Sequence, residues 1–298
     1  MRASTIALLL ASTLALAQSS APRRMPEDVA IFAVGHNGTT SWIDPLVIVH
    51  YGPDQTSTTI PALDAPLPEQ GPTEADFDNI ENSFYKPGTV VSMFSGGEKV
   101  GTATVRSSNI EGRDGGCVNL SAIISYTGAG TPTLAANTTF EIPGHATTRR
   151  AATAVEISML RKLAIQWLSD YGLDKQLLQS GKLEEVTSTV LRKDAGRALI
   201  GRFDVVSKLA VHRLFAIAEQ GRGGYRLTLA KLEVQHDTED GTDKSERYYI
   251  DQLDINNHGL DEVITGASHY ESWSYAVFEF DANDGLWREA YTAIGGGC

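Results

Sequence analysis

The hydrophobic pattern of the first half of the chain predicts short β-strands. Between residues 29 and 146, runs of β-branched and aromatic residues alternate with clusters of Gly, Pro, Asn, Asp and Ser. Such an alternation is typical of strands joined by turns. The predicted strands are residues 29–34, 46–51, 89–94, 100–105 and 118–126. We therefore expect residues 28–148 to form an N-terminal domain, built as a small β barrel or sandwich.

The connections in this half are predicted from their composition. The sequence SGGE at residues 95–98 separates two strand-like runs, and its glycines can adopt positive φ, so a hairpin is predicted there. Residues 52–78 and 128–148 are rich in Thr, Pro and Ala and show neither the strand nor the helix period. We expect both stretches to be irregular, exposed connections.

Between residues 149 and 171 the hydrophobic period changes to three and four residues, which predicts one long amphipathic helix. Its apolar positions are Val155, Met159, Leu160, Leu163, Trp167, Leu168 and Tyr171. Gly172 follows as a helix stop, and a shorter helical turn is predicted at residues 174–180. We interpret the apolar stripe as core packing. Residues 149–181 are therefore predicted to be a helical connector.

The rest of the chain returns to strand-like runs separated by hairpin turns. The predicted strands are residues 185–191, 198–205, 213–218, 225–234, 247–253, 262–265, 273–280 and 287–292. Sequential strands joined by short turns pair antiparallel. Residues 182–298 are therefore expected to form a C-terminal antiparallel β meander, and the whole chain an α+β fold that is mostly β.

The N-terminus has the pattern of a secretory signal peptide. Arg2 precedes a short apolar run, and the small residues Ala15 and Ala17 suit cleavage after Ala17. We interpret residues 1–17 as the signal and residues 18–27 as a linker. No later apolar run approaches the roughly 20 residues of a membrane-spanning helix. The protein is therefore expected to be secreted, or located in the periplasm or cell envelope, without an integral membrane segment.

The formal net charge of −12 disfavours two classes of partner. An acidic surface repels the phosphates of nucleic acids and the headgroups of anionic lipids. We therefore expect no nucleic-acid partner, and the expected partner is an unknown protein or a glycan.

The chain contains two cysteines, Cys117 and Cys298, the last residue. In an oxidising compartment an even pair predicts one disulfide within the chain. Because three glycines precede Cys298 and suggest a flexible arm, a free terminal thiol or a bridge between two chains is an alternative.

Residues 254–262, with the sequence DINNHGLDE, have the spacing of an acidic metal loop. Acidic or amide side chains occupy loop positions one and three, a glycine occupies position six and a carboxylate position nine. Calcium loops use this spacing because alternate positions surround one cation and the glycine permits a sharp bend.

Together with the following VITGA run, this loop resembles the FG-GAP or VCBS repeat, a β-propeller blade element of integrin-like and bacterial surface proteins. The resemblance covers residues 251–280 and is carried by Asp254, Asn256, Gly259 and Glu262. It implies a blade-like hairpin and a weak calcium site. The implied ligands are Asp254, Asn256, His258, Leu260 through its carbonyl, and Glu262.

His258 departs from the pattern of this family, because it stands where a third oxygen ligand is expected and calcium prefers oxygen. The alternative interpretation is a hairpin turn at residues 256–259. Asn and Gly tolerate left-handed backbone, and Asp254 can cap such a loop by hydrogen bonding.

Common catalytic motifs are absent from the sequence: there is no GxSxG, HExxH, CxxC or phosphate loop. Asp237, Glu239 and Asp240 could form an acid and base pair for glycoside cleavage, but a solvated hairpin tip is the simpler interpretation. No catalytic residue is predicted.

Trp273, Tyr275 and Val277 are predicted to share one face of a strand. If exposed, this face could stack on sugars or receive an apolar partner surface. We interpret it as core, because the opposite face, which includes Ser274 and Ala276, is small and polar.

The leading functional hypothesis is a non-enzymatic extracytoplasmic binding or envelope-associated module. The alternative is a secreted hydrolase of unrecognised type, in which His212, His236, His269 and nearby acids would converge in one cleft. A third hypothesis is a purely structural envelope component linked to neighbours through Cys298.

Overall fold

The computed structural model describes residues 28–51, 57–61, 74–114, 116–137, 142, 144–236, 245–256 and 258–298. The predicted signal peptide, the linker and the acidic tip at residues 237–240 lie outside the described residues. The fold is mostly antiparallel β with few helices, so the predicted fold class is confirmed.

The helices and strands, numbered along the chain, are β1 (Asp28–Asn37), β2 (Thr40–Tyr51), β3 (Ser57–Pro61), α1 (Glu74–Phe84), β4 (Val90–Ser95), β5 (Glu98–Glu111), β6 (Val118–Gly128), β7 (Leu134–Asn137), β8 (Arg150–Ala151), α2 (Ala154–Tyr171), α3 (Lys175–Gln179), β9 (Lys182–Thr189), β10 (Ala198–Val206), β11 (Ala210–Gly221), β12 (Gly224–His236), β13 (Glu246–Leu253), β14 (Glu262–Ser268), β15 (Ser272–Asp281) and β16 (Leu286–Gly297).

Six strands close into a barrel in the N-terminal half, in the order β6-β5-β4-β7-β1-β2, with β2 pairing back onto β6. The predicted SGGE hairpin joins β4 and β5, and Gly96 and Gly97 adopt φ of 62° and 77°. Of the two predicted architectures, barrel and sandwich, the protein therefore adopts the barrel.

Three elements of the barrel domain lie in stretches that were expected to be irregular, and that expectation is wrong. Strand β3 lies within residues 52–78 and pairs with β2. Helix α1 begins within residues 52–78, and its buried residues Phe77, Ile80 and Phe84 belong to the core of the barrel. Strand β7 lies within residues 128–148 and pairs with both β1 and β4. These segments were missed because their apolar residues are few or small, so packing rather than propensity decides their conformation.

The C-terminal half is divided between two sheets. Strands β8 to β12 form a five-stranded antiparallel sheet, and α2 and α3 pack on one of its faces. Helix α2 begins at Ala154, later than predicted, because Thr153 and Glu156 form a capping box that fixes the first turn. It ends at Gly172, which has the predicted left-handed conformation, with φ of 112°.

Strands β13 to β16 form a four-stranded extension of the barrel sheet. The extension joins the barrel where β16 pairs with β6, through Gly296 opposite Asn119 and Gly297 opposite Val118. The predicted disulfide between Cys117 and Cys298 is present beside this pairing. The three terminal glycines are therefore part of a strand, and the flexible arm suggested for them is wrong.

The extension is buried on both faces. Tyr275 and Val277 pack against the outer wall of the barrel, whereas Ala276 and Phe278 pack against the five-stranded sheet. The expectation that the small, polar face of β15 would be its outer face is wrong for Ala276, which is 1% exposed. The molecule is thus layered: helices, five-stranded sheet, extension and barrel.

Candidate functional site

A cavity of 660 Å³ lies between the outer wall of the barrel and the extension. The barrel contributes residues of β1, β2, β5 and β6, and the extension contributes residues of β13 and β15. We call this space the interlayer cavity. Its lining includes five aromatic residues, Trp42, Tyr248, Tyr249, Trp273 and Tyr275, and a polar group of Asn109, Asn119 and Ser121.

Asp44 is the carboxylate of the cavity. It follows Ile43, which faces the barrel interior, so the alternation of β2 turns Asp44 to the outer wall. Asp44 is 5% exposed, and its Oδ2 accepts a hydrogen bond of 2.8 Å from the Tyr275 hydroxyl. Its other oxygen, Oδ1, is buried and accepts no hydrogen bond from any described residue.

Burial raises the pKa of Asp44 from 3.8 to about 6. The Tyr275 hydroxyl and the indoles of Trp42 and Trp273 oppose this rise. The two indoles approach the carboxylate closely enough to affect its pKa without completing a hydrogen bond to Oδ1. The neighbours of Asp44 therefore offset only part of the free-energy cost of burying its negative charge.

Three of the aromatic rings lie directly opposite glycines. Trp42 pairs with Gly35, and a Cβ placed on Gly35 would lie 2.2 Å from the indole. Trp273 pairs with Gly296, where a Cβ would lie 2.6 Å from its ring. Because glycine has no side chain, each ring rests on the backbone of the neighbouring strand. The rings are thereby held in place at the edge of the cavity.

Tyr248 repeats this arrangement on the extension. It pairs with Gly266, where a Cβ would lie 2.5 Å from the phenol ring. The pKa of Tyr248 and the pKa of Tyr275 are both raised, first by burial and then by the negative charge of Asp44. Both phenols therefore stay protonated at neutral pH, and the Tyr275 hydroxyl donates its proton to Asp44.

Contacts within the polar side of the cavity use part of its hydrogen-bonding capacity. Asn109 Nδ2 donates to Ser121 Oγ at 3.1 Å, and Asn119 Oδ1 accepts from the Ser121 backbone N–H at 3.1 Å.

Arg149 is the cation that lines the cavity, but its guanidinium is engaged elsewhere. It donates to the Ile250 carbonyl at 3.3 Å and pairs with Asp251 Oδ1 at 3.4 Å. It also lies over the Tyr249 ring, 5.1 Å from the centroid. The charge of Arg149 is therefore balanced by Asp251 and not by Asp44.

In the predicted metal loop, Asp254 bonds to the loop itself. Its Oδ1 accepts from the His258 N–H and its Oδ2 from the Gly259 N–H, both at 2.8 Å. Glu262 accepts from the Ile255 N–H at 2.7 Å and from Asn256 Nδ2 at 3.1 Å. Backbone and amide donors thus hold the carboxylates that the resemblance assigns to calcium.

Other features of this loop also bear on calcium. Leu260, whose carbonyl was the fourth implied ligand, forms a β-bridge with Arg192. Burial raises the pKa of Glu262 to about 8, so its carboxyl is largely protonated at neutral pH. Within the described residues, no group of three or more His, Cys, Asp or Glu is arranged to hold a metal. The calcium site stays a prediction.

The histidines proposed for a hydrolase lie on different strands. His212 is on β11 and is near His236 of β12, which lowers the pKa of His212 in addition to burial. His269 bonds to Ser274 Oγ at 3.0 Å, beside β15 of the other sheet. None of the three lines the interlayer cavity.

A polar cluster that sequence reasoning missed connects the segment between β7 and β8 to the extension. His145 Nε2 pairs with Asp261 Oδ2 at 2.7 Å, and Gln252 Nε2 donates to the same oxygen at 2.6 Å. The hydrogen bond to Asp261 raises the pKa of His145 to about 9. The 116 residues between His145 and Asp261 leave no local signal that could have revealed the pair.

Comparisons with known proteins give no relative for this chain. No protein-family model matches it, and neither the curated proteins nor the solved structures contain a significant match. In the described part of the chain, none of the helices has the length and apolar character needed to cross a membrane.

Proposed function

We propose that the protein is an extracytoplasmic, non-enzymatic binding module whose ligand is a small molecule held in the interlayer cavity. One observation carries the proposal: an aromatic-walled cavity of 660 Å³ contains a buried carboxylate, Asp44, whose Oδ1 accepts no hydrogen bond from the described residues. The cavity volume is within the range of about 300 to 1,000 Å³ that ligand pockets occupy.

The incomplete bonding of Asp44 supports a binding role. A buried polar atom without a partner costs about 1–3 kcal/mol, and such atoms are rare in folded proteins. Because Oδ1 itself is buried beside the cavity, a ligand that reaches Asp44 and, after a small shift of the surrounding side chains, donates to Oδ1 would recover this free energy. The unfavourable burial of Asp44 in the free protein is then explained by a hydrogen bond that Asp44 forms with the ligand in the complex.

The chemical groups around the cavity favour binding over catalysis. Among the described residues that line it, Asp44 is the one carboxylate, and histidine, cysteine and lysine are not represented. Glycoside hydrolysis ordinarily requires a pair of carboxyl groups, and covalent catalysis requires a nucleophile beside a base. The hydrolase alternative therefore gains no support from this site.

The location outside the cytoplasm is supported by the disulfide and by the predicted signal peptide. Disulfides persist mainly in oxidising compartments, and Cys117 and Cys298 are paired. A glycan, one of the partners expected from sequence, is a candidate class of ligand because aromatic rings can stack on sugars.

A cavity-filling variant tests the proposal. Ile123 lines the cavity from the outer face of β6, directly opposite Trp42, so Ile123→Trp should occupy the space without entering the barrel interior. Val206→Trp, at a strand position that is 64% exposed, is the matched control.

The measurement is the unfolding midpoint of the purified, oxidised protein in the presence of a panel of organic cations, saccharides and small organic acids. At least one class should raise the midpoint of the wild type and of Val206→Trp, because a ligand that binds only the native state stabilises it. The rise should be absent in Ile123→Trp. A panel without any rise, or a rise that survives Ile123→Trp, would contradict the proposed site.

A further inference from the structure

We propose that the ligand of the interlayer cavity is an organic ammonium ion, bound between Asp44 and the rings of Trp42, Tyr248, Trp273 and Tyr275. This assignment rests on the proposed function and names its ligand class. Three features of the cavity support it: its negative charge, its aromatic wall and its small number of polar groups.

The negative charge of Asp44 favours a cationic ligand. When Asp44 is ionised, no described residue is its cationic partner, because the guanidinium of Arg149, which also lines the cavity, pairs with Asp251 at 3.4 Å. The other groups that act on the pKa of Asp44 are the neutral side chains of Tyr275, Trp42 and Trp273. Buried charges are ordinarily paired. A cationic ligand would supply the missing partner.

The aromatic wall of the cavity also favours a cationic ligand. The faces of Trp and Tyr rings attract cations within about 6 Å, and this attraction strengthens when water is excluded. Glycines beneath Trp42, Trp273 and Tyr248 fix the rings around the cavity, so little order has to be gained on binding. Several rings beside one carboxylate are the arrangement that recognises methylated or quaternary amines.

The polar groups of the cavity disfavour two other ligand classes. A divalent metal ion requires several oxygen ligands, whereas the described lining of the cavity offers one carboxylate. A sugar presents many hydroxyl groups that each need a partner, and part of the hydrogen-bonding capacity of Asn109, Asn119 and Ser121 is already used within the protein. An ammonium ion needs only the charge of Asp44 and the faces of the rings.

A matched pair of probes tests the assignment. Choline and 3,3-dimethylbutan-1-ol have the same shape, but only choline carries a positive charge. Both are titrated into the oxidised protein, and binding is followed by calorimetry and by the fluorescence of the cavity tryptophans. Choline should bind at least about tenfold more tightly than its neutral analogue, a difference of one decade in the dissociation constant.

Two pairs of variants locate the binding. Asp44→Asn should weaken choline binding at least about tenfold, whereas Asp170→Asn, at an exposed position of α2, should leave it unchanged. Trp273→Leu should weaken it about fivefold through the lost cation–π contact, and Trp167→Leu on α2 is its control. The unfolding midpoint of each variant shows that it is folded.

The outcomes separate this assignment from the proposed function. Equal binding of choline and its neutral analogue, with loss of both in Ile123→Trp, keeps a ligand site in the cavity but overturns the cation class. Binding of cellobiose without binding of choline would likewise keep a ligand site in the cavity and overturn the cation class. Absence of choline binding also overturns the cation class, whereas only the absence of every ligand class in the panel overturns the proposed function.

Discussion

Asp44 and Asp251 are buried at the same interface, between the barrel and the extension, but their surroundings differ. Asp251 is fully buried and accepts hydrogen bonds from the Gly96 N–H, at 2.8 and 2.9 Å, and from the Thr133 hydroxyl, and it pairs with Arg149. Among the described residues, Asp44 accepts a hydrogen bond from Tyr275 on Oδ2 and is approached by the indoles of Trp42 and Trp273, but its Oδ1 has no partner. Burial raises the pKa of both acids, so burial alone does not distinguish them.

The difference shows how a structural acid can be separated from a candidate ligand-binding acid. Asp251 connects the β4–β5 hairpin to β13, and each of its contacts is supplied by the protein. Asp44 lines a cavity and keeps one buried oxygen to which no described residue donates. The acid that is available to a ligand is therefore indicated by incomplete hydrogen bonding and not by the depth of its burial.

The largest expected effect is at Asp251. Asp251→Asn should lower the free energy of unfolding by about 3–5 kcal/mol, because it removes the partner of Arg149 and places an amide N–H₂ near the Gly96 N–H. Urea denaturation of the oxidised protein at neutral pH measures the loss. The matched variant Asp44→Asn should be no less stable than the wild type. Equal losses of unfolding free energy in Asp251→Asn and Asp44→Asn would contradict this distinction between the two acids.

The second effect is a dependence of stability on pH. The folded pKa of Asp44, about 6, lies above its ordinary value of 3.8, so between these values the native state binds more protons than the unfolded state. Stability should therefore fall as pH rises from about 4 to about 7, by up to about 3 kcal/mol from this group.

Asp44→Asn removes this contribution, so the variant should gain stability relative to the wild type across the same pH range. The measured quantity is the difference in unfolding free energy between the two proteins at several pH values. A difference that does not change with pH would show that Asp44 is ionised as readily in the folded protein as in the unfolded chain.

The smallest effect concerns Asp254, which resembles Asp251 in having both oxygens bonded by backbone N–H groups. If complete bonding marks a structural acid, Asp254→Ala should cost about 1 kcal/mol, to the same extent in EDTA and in millimolar calcium. The unfolding midpoint measures both conditions. A rise of the wild-type midpoint specific to calcium, lost in Asp254→Ala, would instead support the calcium loop implied by the FG-GAP resemblance.

Local patterns predicted the parts of the fold that local forces decide. The glycines at residues 96 and 97 predicted the β4–β5 hairpin, and the period of residues 149–171 predicted α2. In contrast, β7 has the sequence LAAN, which carries little strand propensity and is held by its two neighbours. The division of the C-terminal strands between two sheets likewise depends on contacts distant in sequence.

The candidate site was predictable only in fragments. Trp273 was recognised as an aromatic residue that could contact a ligand, although its strand face was interpreted as core. The Asn37-Gly38 pair, a hairpin signal, could have indicated that β1 and β2 pair, but not that Trp42 lies opposite Gly35, because the loop residues are Gly38 and Thr39. Asp44 gave no signal, because its role depends on Tyr275, which lies 231 residues away in the chain.

The disulfide between Cys117 and Cys298 has a mechanical consequence. It makes residues 117–298, which include the connector, the five-stranded sheet and the extension, into one covalently closed loop. A pulling force applied between the N-terminus and Cys298 is transmitted through the bond, and it can draw out only the chain that precedes Cys117. Under tension β1, β2, β4 and β5 would unravel, while most of the molecule would bear no load until the bond is reduced.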